Sequence, residues 1–193
     1  MRRFMFLSTG VSCLAIVAVL LGAVAVSAAP QRGYIGLFAD EYHATCDVIN
    51  TSGSIMYPFT LWIWCLPSVN GMIAAEFAIS FPGIVIPSVV TLNPLIAMSL
   101  GTLWDGTSVA FGTCNNDWVW THHVDCYLTS TTLGDIRIIP DPKTQPPAYQ
   151  FYACTLGNPP ESISKLTDLN LNYADCFYAT KDESWGAIKE LFK

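Results

Sequence analysis

The chain has 193 residues, with nine Lys and Arg against fifteen Asp and Glu, giving a formal net charge of −6. Charged residues make up 12% of the chain and aromatic residues another 12%. The acidic balance argues against nucleic acid or an anionic membrane surface as a partner, and the length suffices for one domain with a real core.

Arg2 and Arg3 precede an uncharged apolar stretch that is densest over Leu14–Val26. Val26-Ser27-Ala28 then supplies small residues at the −3 and −1 positions of a cleavage site. This is the pattern of a signal peptide over 1–28, cut after Ala28; a cut after Ala29 would put Pro30 at the first mature position. The competing reading is an uncleaved anchor, since the apolar run from Phe4 is long enough to span a bilayer. The tail of small residues favours cleavage. Cys13 precedes most of the apolar region, and Gly10 stands where a lipobox has Leu, so lipidation is not expected. Losing Arg2 and Arg3 takes the charge from −6 to −8. Residues 29–193 are then expected to form a single domain, secreted or held in the cell envelope, with no membrane contact after cleavage.

Along this domain, short apolar or alternating runs recur between Gly, Pro, Asn and Asp. They are Gly33–Ala39, Tyr57–Leu66, Ala74–Phe81, Ile84–Leu92, Leu95–Leu103, Thr107–Thr113, Trp118–Thr129, Ile136–Ile139, Tyr149–Thr155 and Leu169–Tyr173. Pro87 marks its run as an edge or bulged strand, and Asp105-Gly106 signals a tight turn. No alternation of strands with helices appears, so a parallel α/β sheet is not expected. The spacing predicts a mainly β chain, an antiparallel β-sandwich of about nine strands. One short amphipathic helix is predicted at the C-terminus. Asp182, Glu183 and Ser184 provide N-cap chemistry, and Trp185, Ile188, Leu191 and Phe192 make an apolar stripe.

Without Cys13, six cysteines remain, an even number that in an exported chain predicts three disulfides. No CxxC pair is present, so nothing supports a zinc ribbon or a thioredoxin-type site. If Trp118–Thr129 is one straight strand, Cys114 and Cys126 lie about 25 Å apart, too far to bridge. The expected pairs are Cys46–Cys114, Cys65–Cys126 and Cys154–Cys176.

The polar clusters point to no metal or catalytic centre. Adjacent His122 and His123 face opposite ways on a strand, His122 sharing a face with Trp118, Trp120 and Val124. Asp168–Asn172 opens like a calcium loop but has Tyr173 where Gly is needed and Ala179 where Glu is needed. No G-x-S-x-G is present. Glu76 shares a strand face with Ala78 and Ser80 and is expected to point to solvent. No catalytic residue, metal ligand or cofactor is assigned. The candidate ligand-binding residues are Trp62 with Trp64, and Trp118 with Trp120, two i, i+2 pairs. The Trp62 pair lies opposite the better core face of its strand, outward or under a covering loop. Indole rings so placed stack on sugars or anchor protein partners.

The runs GYIGLFADEYHATC, FPGIVIP, LGTLWDGTSVAFGTCN and SWGAIKELF together resemble a group of uncharacterised secreted bacterial proteins known mainly from environmental genomes. The likeness spans nearly the whole mature chain. It implies a cohesin- or immunoglobulin-type sandwich in a bacterial envelope or extracellular setting, and brings no activity with it. The function expected is a secreted, non-enzymatic binding or adhesion module, its partner a carbohydrate or another surface protein. A secreted hydrolase with a loop-built site and a structural surface component are the alternatives.

Overall fold

The computed structural model describes residues 33–163 and 165–174. Among them thirteen strands and no helix are found. The predicted leader, Cys176 and the predicted terminal helix lie outside the described residues.

The strands make two sheets. The first holds β1 (Tyr34–Phe38), β3 (Tyr57–Leu66), β5 (Val85–Leu92), β8 (Val119–Leu128) and β12 (Lys165–Thr167), in the order β12-β1-β3-β8-β5. The second is built around β4 (Met72–Ser80). One edge of β4 carries β7 (Gly106–Asn115), which in turn carries β6 (Ile96–Thr102). Its other edge is shared. Ala74–Glu76 pairs with β10 (Gln150–Tyr152), and Ala78–Ser80 with β9 (Gly134–Ile139). β11 (Pro160–Ser162) extends the first branch; β13 (Leu169–Leu171) and β2 (Asp47–Val48) extend the second.

The expected sandwich is present, with more and shorter strands than about nine. It is not wholly antiparallel, because β1–β12 and β13–β2 pair in parallel. Both exceptions arise where the chain changes sheet. Asp168 separates β12 in one sheet from β13 in the other, and its carboxylate accepts the Ile138 amide at 3.0 Å.

Alternation places the core. Leu61, Ile63 and Cys65 of β3 pack inward with Ile35 and Leu37 of β1, against Phe77 and Ile79 of β4 and Phe111 of β7. Each strand then has an outward set one residue out of phase with the core. On β4 that set includes Glu76. It does not stand free in solvent: its carboxylate accepts hydrogen bonds from Ser108 (3.1 Å), Gln150 (2.6 Å) and Tyr152 (3.0 Å), tying β7, β4 and β10 together.

The cysteine pairing differs from the expectation. Cys114 bonds Cys154, with Cα atoms 5.8 Å apart. Cys46–Cys114 and Cys154–Cys176 are thereby replaced, although Cys46 is itself disulfide-bonded. Cys65 and Cys126 are buried free thiols. They lie on neighbouring strands, but Cys65 stands opposite Val119 and Cys126 opposite Phe59. The stagger of six residues along the ladder keeps them about 20 Å apart. Burial pushes the Cys65 thiol well up; burial, with help from Asp125, pushes Cys126 up to about 12. Neither supplies reactive thiolate, so an oxidising compartment leaves both alone.

Candidate functional site

The outward face of the five-stranded sheet is aromatic. Tyr34 and Phe38 of β1, with Cys46 and Leu66, form a second buried cluster separate from the main core, and Trp62, Trp64 and Trp118 pack against it. β3 and β8 are antiparallel, with Trp62 opposite His123 and Trp64 opposite Trp120. All four candidate tryptophans are half-buried and lie on this face.

Their alignment depends on one extra residue. Ile63 pairs with His122 and Trp64 with Trp120, so Thr121 is bulged out of register. Its hydroxyl reaches the Ile63 carbonyl at 3.5 Å. A straight strand would put Trp118, Trp120 and His122 on one face. The bulge breaks that phase: His122 turns into the core at 3% exposure, while Trp120 and His123 turn outward. The expected sharing of a face by His122 and Trp120 is therefore corrected. His122 meets the edge of the Phe77 ring and bonds Thr121 Oγ1 at 3.1 Å. Burial lowers its pKa to about 4.

Outside, two groups form. His123 stacks on Trp62, with centroids 4.7 Å apart and planes 25° from parallel, and Trp120 meets Trp62 edge-on at 5.3 Å. The second group lies under the loop after β1. His43 stacks on Trp118 at 4.2 Å and 14°, and meets Trp64 edge-on at 5.0 Å. Asp40 shapes that loop. Its carboxylate accepts the amides of Tyr42 (2.8 Å), Ala44 (3.1 Å) and Thr45 (2.6 Å), holding His43 at φ 49°. Partial burial would raise the Asp40 pKa, but the hydrogen bonds from Ala44, Thr45 and Tyr42 together outweigh it and hold it below the usual range.

His43 and His123 were not among the candidates. Nothing in the sequence shows that His123 faces Trp62 across a ladder, or that an Asp40 turn folds His43 over Trp118. Two polar atoms buried on this face, Trp64 Nε1 and His123 Nδ1, have no hydrogen-bond partner among the described residues. The same residues hold no cluster of three or more His, Cys, Asp or Glu able to hold a metal ion.

No family model matches the chain, and no curated protein does. Solved structures that resemble it are cohesins. The seventh ScaB type I cohesin of Pseudobacteroides cellulosolvens is 12% identical over 73% of this chain and 91% of its own, with a TM-score of 0.46. The third ScaC cohesin of Acetivibrio cellulolyticus, solved with the ScaB dockerin, is 12% identical over 74% and 99%, with a TM-score of 0.44. A Clostridium thermocellum OlpA cohesin, solved with a dockerin, is 8% identical over 72% and 97%, with a TM-score of 0.41. No residue correspondence is drawn from likenesses of this order.

Proposed function

We propose that the chain is a secreted, non-enzymatic binding module whose contact surface is the aromatic face of the five-stranded sheet. The observation that carries this reading is the placing of four tryptophans on the solvent side of a sheet whose other side already supplies the core. A sheet face turned to water is normally polar. Trp62, Trp120 and His123 form the contact group, and His43, Trp64 and Trp118 its support. A disulfide at Cys114–Cys154 fits an exported protein.

Rings of this kind suit either a sugar or the surface of another protein, because indole offers a large stiff apolar area with a polar edge. The test uses protein recovered from an exporting host, on a glycan array and on a panel of extracellular proteins. The Trp62→Ala/Trp120→Ala double variant is run beside it. The expected result is binding on one of the two, weakened at least tenfold in the variant. Binding that the variant retains would move the site off this face.

A further inference from the structure

The outer face of the second sheet carries a polar row. The ladders set Leu100 of β6 opposite Ser108 of β7, Ser108 opposite Glu76 of β4, and Glu76 opposite Gln150 of β10. A cleft of about 320 Å³, at the small end of the range for ligand sites, opens on this face. Leu100, Ser108 and Glu76 line it, together with Asp141, Lys143, Thr144 and two glycines. The glycines let the β6–β7 hairpin close on the site. Gly101 and Gly106 have φ +83° and +99°; a Cβ on Gly106 would collide with the Asp141 carboxylate, and one on Gly101 with the Gly106 carbonyl. The loop after β9 brings Asp141, Lys143 and Thr144 to the cleft and is tied to itself. The Asp141 amide donates to the Ala148 carbonyl (3.0 Å), the Ala148 amide to Thr144 Oγ1 (2.9 Å), and Thr144 Oγ1 to the Asp141 carbonyl (2.9 Å).

The polar groups of the cleft are not matched to one another. Asp141 is 3% exposed. Its Oδ1 accepts the Lys143 amide at 2.8 Å, and its Oδ2 accepts no hydrogen bond among the described residues. A buried carboxylate oxygen without a donor costs free energy that a bound donor recovers. Lys143 Nζ donates to the Gly106 carbonyl at 3.2 Å and, among the described residues, forms no ion pair with Asp141 or Glu76, although all three line one cleft. Glu76 Oε1 accepts from Ser108 alone. Open acceptors on two carboxylates thus face the same space as open donors on one ammonium. We propose that this cleft binds a sugar ring. The two carboxylates repel an anion, Lys143 opposes a bare cation, and an apolar molecule would leave Asp141 Oδ2 without a donor. A sugar hydroxyl both donates and accepts, so neighbouring hydroxyls bridge Lys143 to the carboxylates, with Leu100, 59% exposed, against the C–H side of the ring. The site lies on the opposite outer face of the sandwich from the tryptophans and does not depend on their binding anything.

Amide chemical shifts of isotope-labelled protein, recovered from an exporting host, test this. Glucose, galactose, mannose and N-acetylglucosamine are each titrated to about 50 mM, far enough to see a millimolar site. At least one of them should shift the Gly101 and Gly106 amides in a saturable way. Asp141→Asn keeps the Oδ1 acceptor and turns the open oxygen into a donor; Lys143→Met removes the ammonium at an exposed position. Each should weaken the binding about tenfold, the loss of one charge-assisted hydrogen bond, with the far-ultraviolet circular dichroism unchanged. No sugar-dependent shift at those glycines, or binding there that either variant retains in full, would overturn the proposal. So would saturation of the same amides by sodium phosphate, glycine or calcium chloride in place of a sugar. Shifts confined to the indole signals of Trp62 and Trp120 would also overturn it, while supporting the aromatic face.

Discussion

Acidifying the solution should destabilise this protein over a window set by one buried histidine. His122 is 3% exposed and its pKa is lowered to about 4 by burial. In the unfolded chain it returns to about 6.5. Between these values the unfolded state binds the proton and the folded state does not, so stability is fully present above the unfolded pKa and is lost as pH falls toward the folded one. Linkage over that gap costs about 2 kcal/mol by about pH 5 and about 3 kcal/mol by about pH 4, a large part of the stability of an ordinary domain. Asp40 and Asp135 have lowered pKa values, and their contributions disappear only below the usual carboxylate range. Asp168, raised by burial, acts with the opposite sign at that end. The interval from about pH 6.5 to about pH 5 thus belongs mainly to the histidine. Urea unfolding followed by tryptophan fluorescence at a series of pH values measures the effect, and His122→Leu should remove the slope in that interval. A wild-type stability flat across it, or an equal slope in the variant, would refute the buried neutral imidazole.

Gly71 has φ +71°, and a Cβ there would lie 2.6 Å from Cys114 Sγ and 3.0 Å from Cys154 Sγ. Gly71→Ala should therefore cost more than about 2 kcal/mol, whereas Gly53→Ala, also at positive φ but with nothing within 4 Å, should cost about 1 kcal/mol. Denaturant midpoints check both, and in a Cys114→Ala/Cys154→Ala background the gap between them should narrow. Deleting Thr121 removes the bulged residue while keeping His122 inward and Trp120 outward, so the cost should stay within about 2 kcal/mol with the tryptophan fluorescence preserved.

Much of the sandwich can be read from the chain because the relevant signals are local. Alternation over β4, the Asp105-Gly106 turn and the Pro87 irregularity each act within a few residues, and each appears where expected. The short strands β2, β11 and β12 carry no such pattern. They exist because the long strands leave edges that a passing segment pairs with. The disulfides fail for a related reason. Cys65 and Cys126 both lie in strands, and only the register shows the stagger of six residues between them.

The aromatic face lies between these cases. The outward turn of Trp62 and Trp64 follows from β3 alone, since Leu61, Ile63 and Cys65 make the stronger core set. The turn of Trp120 follows from β8 only after Thr121 is set aside, and no residue type announces a bulge there. One bulge consequently governs two properties. It buries a histidine that makes the fold acid-sensitive, and it turns Trp120 and His123 out beside Trp62. A variant of Trp62 or Trp120 should thus change ligand contact without moving the acid transition, and His122→Leu should do the reverse.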